Sequence, residues 1–273
     1  MSRDSLLEVR VVDGSVGDFL TSLGEVFVVH RGHDSGNTSY GVRIGGDAWF
    51  VKHAEDEEPI SHLESAILFH SEVRHPAIIP LVGWFRTSAG LAIVHEFRDG
   101  LIVNDPLAPG ALPRQHPDST YARFRHLPVD EIVHALDTVF DAHVAVSNAG
   151  FVAVDFYDGA IIYDFEHRQV HLCDLDSYRP GPYRLDRDRQ YGSTRFMAPE
   201  EFERGATIDE RTMVFTLGRA AFVFLSEGQR GENDMHLWRG SRTLYDVVRA
   251  ATELDPDKRF ASVSEFLMAW RTA

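Results

Sequence analysis

Residues 150–176 read GFVAVDFYDGAIIYDFEHRQVHLCDLD and carry the chain's densest set of groups able to do chemistry. Asp155 and Asp174 each follow a short apolar, β-prone run, and Asp158 and Asp176 stand within three residues of them. Carboxylates at the ends of short strands are hard oxygen donors. They suit a divalent cation and the phosphate groups it bridges, and one of them can take a proton from a hydroxyl. Asp also favours turns, so any one of these acids alone would read as a turn former.

The elements that must position these acids follow from pattern. Phe151 to Val154, Ala160 to Tyr163 and Val170 to Cys173 are strand-like runs, separated by the turns Asp155–Gly159 and Asp164–Arg168. Asp130 to Asn148 carries Ile132, Leu136, Val139, Phe140 and Val144 at helical spacing and delivers the chain to this stretch. Upstream, Ser5 to Val12 reads as an edge strand or arm. Ser15 caps a helix to Leu23, and Glu25 to His30 is a strand. Tyr40–Ile44 and Ala48–His53 flank Gly45-Gly46-Asp47, a hairpin signal. A helix runs from Glu58 to about Val73, and Ile79–Phe85 and Leu91–Val94 are strands. Leu101 to Pro128 is irregular apart from a short helix over Thr120–Arg125. Helices also fit Asp209–Leu225, Leu244–Thr252 and Ser262–Trp270, the last with Ser262 and Glu265 as a capping box.

Composition bounds the class. The chain has 273 residues, 44% hydrophobic and 25% charged, which is enough for a two-lobed globular unit and excludes a disordered chain. Its net charge, 27 − 42 = −15, disfavours nucleic acid as a partner. No apolar run approaches a membrane span, and Met1–Asp18 is too charged for a signal peptide. With one cysteine, Cys173, no internal disulfide is possible, which fits a cytoplasmic setting.

Taken in order, these stretches resemble eukaryotic-like protein kinases. Asp155, a hairpin, then Asp174-Leu175-Asp176 resembles the family's His-Arg-Asp and Asp-Phe-Gly elements. Gly192 to Glu200, GSTRFMAPE, resembles the Ala-Pro-Glu end of the activation segment. Phe215-Thr216-Leu217-Gly218 is similar to the central buried helix, and Asp255 to Phe260 to the turn whose arginine pairs with that glutamate. Ala48 to Lys52 resembles the Val-Ala-Ile-Lys strand, and His75-Pro76-Ala77-Ile78 the run after the αC helix. The resemblance spans about Glu25 to Arg271.

It implies an α+β, bilobal protein-kinase-like fold: a β-rich lobe over 1–97 and a helical lobe over 98–273. It also implies ATP and Mg²⁺ (or Mn²⁺) as cofactors, and a protein or small-molecule hydroxyl as substrate. By this resemblance Lys52 holds the phosphates, oriented by Glu64, with Glu72 as the fallback. Gly36 falls in the glycine-rich loop over 32–41. Glu96 and Arg98 meet adenine through their backbone at the hinge, beside His95. Asp155 is the catalytic acid-base group, and Asp174 binds metal. Ser193 stands where Ser/Thr kinases carry a threonine.

The chain departs from the family at several points. Ala153 and Val154 replace His and Arg, Tyr157 replaces the catalytic-loop lysine, and Ala160 replaces the metal-binding Asn. Asp176 replaces the glycine of Asp-Phe-Gly, and Met213 an aspartate of the central helix. Asp176, with Asp158 as a further candidate, could supply the missing metal ligand beside Asp174. The acidic side chain that would replace Asn, and the retained Lys52, Asp155 and Asp174, leave three readings: a Ser/Thr-kinase-like phosphotransferase, a small-molecule kinase, and a pseudokinase that binds nucleotide or a partner as a scaffold. A small-molecule kinase usually lacks the Ala-Pro-Glu segment and its late arginine. The resemblance of Asp255 to Phe260 to that arginine-bearing turn also implies an ion pair between Glu200 and Arg259.

Overall fold

The computed structural model describes residues 4–31, 36–106, 108, 110–228, 231 and 233–273, with the side chains of 4 and 5 excepted. The protein is mixed α+β with a mostly antiparallel main sheet. The chain divides into two compact units. The first comprises 1–74, 79–99 and 107–109, and the second 75–78, 100–106 and 110–273.

The first unit contains α1 (Asp4–Leu7), β1 (Val11–Val12), α2 (Val16–Leu23), β2 (Glu25–His30), β3 (Thr38–Ile44) and β4 (Asp47–Ala54), followed by α3 (Glu57–Glu72), β5 (Leu81–Thr87) and β6 (Leu91–Glu96). Its six strands form one sheet in the order β1-β5-β6-β4-β3-β2, antiparallel except for the parallel β1–β5 pair. Alternation along each strand sends side chains to opposite faces. Val42, Ile44, Trp49, Val51, Ala92 and Val94 pack with Leu6, Val16 and Leu20 of α1 and α2. Ala54, Leu91 and Ile93 pack on the other face with Leu63 and Ala66 of α3. The expected arm over Ser5–Val12 is in part helical. Only Val11 and Val12 pair as strand, with Arg86 and Thr87, and Leu6 lies in the core.

The second unit contains β7 (Leu101–Ile102), α4 (Thr120–Arg125), α5 (Val129–Asn148), β8 (Phe151–Val152), β9 (Ile161–Asp164) and β10 (Gln169–Leu172). After these come β11 (Arg179–Pro180), β12 (Tyr183–Arg184), β13 (Thr207–Ile208), α6 (Glu210–Leu225), α7 (Arg242–Ala251) and α8 (Val263–Thr272). Helix α6 is buried along almost its whole length and packs against α5, α7 and α8. A helix apolar on every side must lie inside a core, and α6 is that case. Ser262 caps α8 by accepting from the Glu265 amide at 3.0 Å, and the Glu265 carboxylate takes the Ala261 amide at 2.9 Å.

Residues 176–192 read by composition as an open loop, yet they form two strand pairings, β11 with β8 and β12 with β13. Arg179 stacks on Tyr183 and Arg187 on Tyr191, so their guanidiniums cover aromatic faces rather than extending into water. No helix among the described residues is long and apolar enough to cross a membrane.

Candidate functional site

Asp155 and Asp174 lie together in the second unit. Strand β9 pairs with β10 and with β7, and the Cys173 amide donates to the Ala160 carbonyl at 3.0 Å. That bond closes the hairpin behind the two acids. Asp155 has φ 60° and Asp174 φ 57°, and Arg168 is the one other non-glycine residue at positive φ among the described residues. Left-handed backbone is disfavoured for residues with a Cβ, and Asp is among those that tolerate it best. Such positions persist where the surroundings over-determine them, and they gather at functional sites.

Asp155 is partly buried. Burial, followed by the charge of Asp174, pushes its carboxyl up to about 7, against the pull of the Ser193 amide and of Arg189. The approach of the Ser193 segment depends on Gly192, at φ 140°. A Cβ there would stand 3.4 Å from Oδ1 of Asp155 and 3.3 Å from Met197. Arg189 donates to the Gly192 carbonyl at 2.9 Å and so fixes the same segment. The Tyr157 hydroxyl donates to Oδ2 of Asp174 at 3.4 Å.

Beneath these acids, His143 and Tyr178 are fully buried. Nδ1 of His143 lies 2.8 Å from the Val139 carbonyl, which can only accept, so Nδ1 carries the proton. Nε2 then accepts from the Tyr178 hydroxyl at 2.8 Å. Burial holds His143 neutral, with its pKa lowered to about 4. Burial and then the charges of Asp155 and Asp174 keep Tyr178 protonated well beyond the usual phenol range. The pair spans 35 residues of sequence and has no local signature.

Asp158 has a different role from the one its place in the sequence suggests. Its side chain is wholly buried, hydrogen-bonded by Arg195 at 2.9 and 3.1 Å and by Asn104 at 3.3 Å, and ion-paired with Arg114 at 3.0 Å. Burial pushes its carboxyl up to about 6, opposed chiefly by Arg114 and Asn104. With its oxygens occupied, Asp158 is not a metal ligand. It clamps the turn after Asp155 to the segment after Ser193, through an arginine that the sequence did not single out.

The two proposed metal acids are unequally placed. Asp174 is exposed, whereas Asp176 is 6% exposed and its Oδ1 is closed off from solvent. Ala160 is fully buried. Among the described residues no three His, Cys, Asp or Glu side chains gather into a metal-holding group. A Mg²⁺ ion commonly uses one or two carboxylates, with substrate phosphates and water completing its shell. Asp174 fits that minimal donor set, and Asp176, the second expected ligand, is largely buried.

In the first unit, Lys52 is buried on β4, opposite Ser39 of β3 and Ile93 of β6. Glu64 does not pair with it. Glu64 is exposed and binds Arg86 of β5 at 3.2 Å. The buried face of α3 carries Leu63, Ala66, Phe69 and His70, and one residue of helix turns a side chain about 100° from its neighbour. Glu72, the fallback, is exposed and accepts from the Ser71 hydroxyl at 3.3 Å. Gly36 has φ 70°, and a Cβ there would meet Pro59 at 2.7 Å, so close approach to the start of α3 requires glycine. Residues 32–35 of the expected glycine-rich loop lie outside the described residues.

Glu96 ends β6. Its amide donates to Pro80 at 3.1 Å, and its carboxylate binds the Arg98 guanidinium at 2.6 Å. His95 is buried, its ring 5.1 Å from that of His70.

The expected pair of Glu200 and Arg259 is formed, with Nη1–Oε1 at 2.7 Å and Nη2–Oε2 at 2.9 Å. Sequence reasoning passed over the adjacent Glu201. It is buried and accepts from the Ala198 amide at 2.7 Å, and burial, then the charges of Glu200 and Asp155, push it up to about 8. No family model matches this chain, and no curated protein is significantly similar to it.

Proposed function

We propose that the chain is an ATP-dependent phosphotransferase of bilobal, protein-kinase-like architecture that transfers the γ-phosphate to a hydroxyl, with Ser/Thr side chains of proteins as the preferred acceptors. The observation that carries this reading is the pairing of two left-handed aspartates, Asp155 and Asp174, with the Ser193 amide on the first of them.

In this reading Asp155 orients the acceptor hydroxyl and takes its proton as the oxygen attacks phosphorus. A carboxyl with a pKa of about 7 is a stronger base than an ordinary aspartate, and it is half ionised near neutrality. Activity therefore rises as pH rises through 7. Asp174 is the carboxylate for Mg²⁺ or Mn²⁺, and the bound ion supplies charge neutralisation to the phosphates. Lys52 holds the phosphates of ATP, without Glu64 as its partner. Tyr157 takes the place of the family's lysine, and its hydroxyl orients Asp174. Glu96 and Arg98 remain the proposed adenine contacts through their backbone.

The Glu200–Arg259 pair favours protein over small-molecule acceptors, since it anchors a segment that small-molecule kinases usually lack. A second reading, a nucleotide-binding scaffold without turnover, draws on Ala160 and on the diversion of Glu64 to Arg86. Incubation with γ-labelled ATP, Mg²⁺ or Mn²⁺ and generic protein substrates separates them. Label transfer supports the phosphotransferase, and nucleotide binding without transfer supports the scaffold.

A further inference from the structure

A second site lies wholly within the second unit. Helix α4 and the segments around Glu227 and Arg239 enclose a cleft of about 510 Å³ lined by Arg114, Tyr121, Arg125, His126, Glu227 and Arg239, among others. Its three arginines and one glutamate give 3 − 1 = +2 before histidine is counted, in a chain whose net charge is −15.

The arginines are fixed in place. Arg125 donates through Nη2 to the carbonyls of Ser226 and of Gly228, the latter at 2.9 Å. Arg239 donates to the carbonyls of Arg125 and of Leu127, the latter at 3.0 Å. Both guanidiniums are thus held by neutral oxygens, and among the described residues neither has a carboxylate partner. Arg114 lies 3.6 Å over the Tyr121 ring and is the one arginine of the three with an acid, Asp158. His126 donates through Nδ1 to the Ala122 carbonyl at 2.6 Å, which leaves Nε2 as its open ring atom.

Like charges that line one cleft without a bonded carboxylate repel, and an anion among them offsets that repulsion. Planar guanidiniums match phosphate oxygens in forked geometry, and side chains already locked lose little freedom on binding. The volume exceeds what a lone phosphate needs. We propose that this cleft binds a small phosphate monoester, with its dianion between Arg125 and Arg239.

The test is titration calorimetry of the full chain with inorganic phosphate and with phenyl phosphate at fixed ionic strength. The expected result is saturable one-site binding, tighter for phenyl phosphate. Arg239→Gln should weaken it about tenfold or more, as expected for a lost charge-assisted contact. Arg239 also ties backbone carbonyls, so Glu227→Gln is the variant that does not depend on retained folding. Glu227 is exposed, and its removal should tighten binding about threefold by lifting one repulsion. Absence of saturable binding up to about 10 mM, or affinities unaltered in both cleft variants, would each overturn the proposal.

Discussion

Arg259 meets Glu200 through two parallel hydrogen bonds across 59 residues of sequence, and its guanidinium is wholly shielded from solvent. It also donates to the carbonyls of Glu253, Arg211 and Leu254. The pair therefore ties the segment after Ser193 to α6 and to the turn before α8. Arg259→Ala leaves the largely buried Glu200 carboxylate with the Thr212 hydroxyl but without its cation, and three carbonyls without their donor. It should lower stability by about 3–5 kcal/mol in chemical denaturation. An unchanged midpoint would show that the pair carries no such role.

Glu201 offers a pH-dependent signature. Its pKa in the folded protein, about 8, lies above the ordinary glutamate value, so the folded state holds a proton that the unfolded state has lost. Its contribution is therefore fully favourable at low pH and is lost as pH rises through 8. Glu201→Gln removes this dependence while keeping an acceptor for the Ala198 amide. The melting temperature of the variant should gain on the wild type by several degrees between about pH 5 and 8. A constant difference over that range would place the Glu201 carboxyl at an ordinary value.

Tyr178→Phe removes the donor to Nε2 of His143 and leaves that nitrogen buried without its partner. A loss of about 1–3 kcal/mol is expected. His143 itself has a depressed pKa, so the stability it confers is present above the ordinary histidine value and falls away as pH drops toward 4. Nuclear magnetic resonance titration of the imidazole should show no protonation above about pH 5. Titration near 6.5 would contradict the neutral, doubly bonded ring.

The elements proved more legible than the contacts between them. Helices α2, α4 and α5 fall where Ser15, the Thr120 segment and the apolar spacing from Ile132 to Val144 place them, because caps and periodicity act locally. The Glu200–Arg259 pair was readable because two ordered motifs mark its ends. The partner of Glu64 was not, since spacing fixes a helical face only relative to its neighbours. The buried face proved to run through Leu63 and Ala66, which turns Glu64 toward Arg86. The clamp of Asp158 by Arg114 and Arg195 and the His143–Tyr178 bond join distant residues with no sequence period, and only the fold reveals them. The β11 and β12 pairings lie in a stretch so charged that composition suggested open loop.

Lys52→Met tests the first unit's part in the proposed chemistry. Methionine fills a buried strand position of similar length without the ammonium. Phosphoryl transfer should be abolished while the melting temperature stays within a few degrees, because the charge is assigned to phosphate binding and not to the core. Full turnover in this variant would remove Lys52 from the site.

The central claim is that Asp155 is the base of a phosphoryl transfer. The most direct measurement is transfer of label from γ-labelled ATP to protein hydroxyls, followed across pH for wild type and Asp155→Asn. The wild type should show transfer that rises with pH through about 7. Asp155→Asn should lose about 10²-fold or more of that rate and still bind nucleotide. Transfer that persists undiminished in Asp155→Asn, or a wild type that binds nucleotide and transfers no label at any pH, would contradict the account.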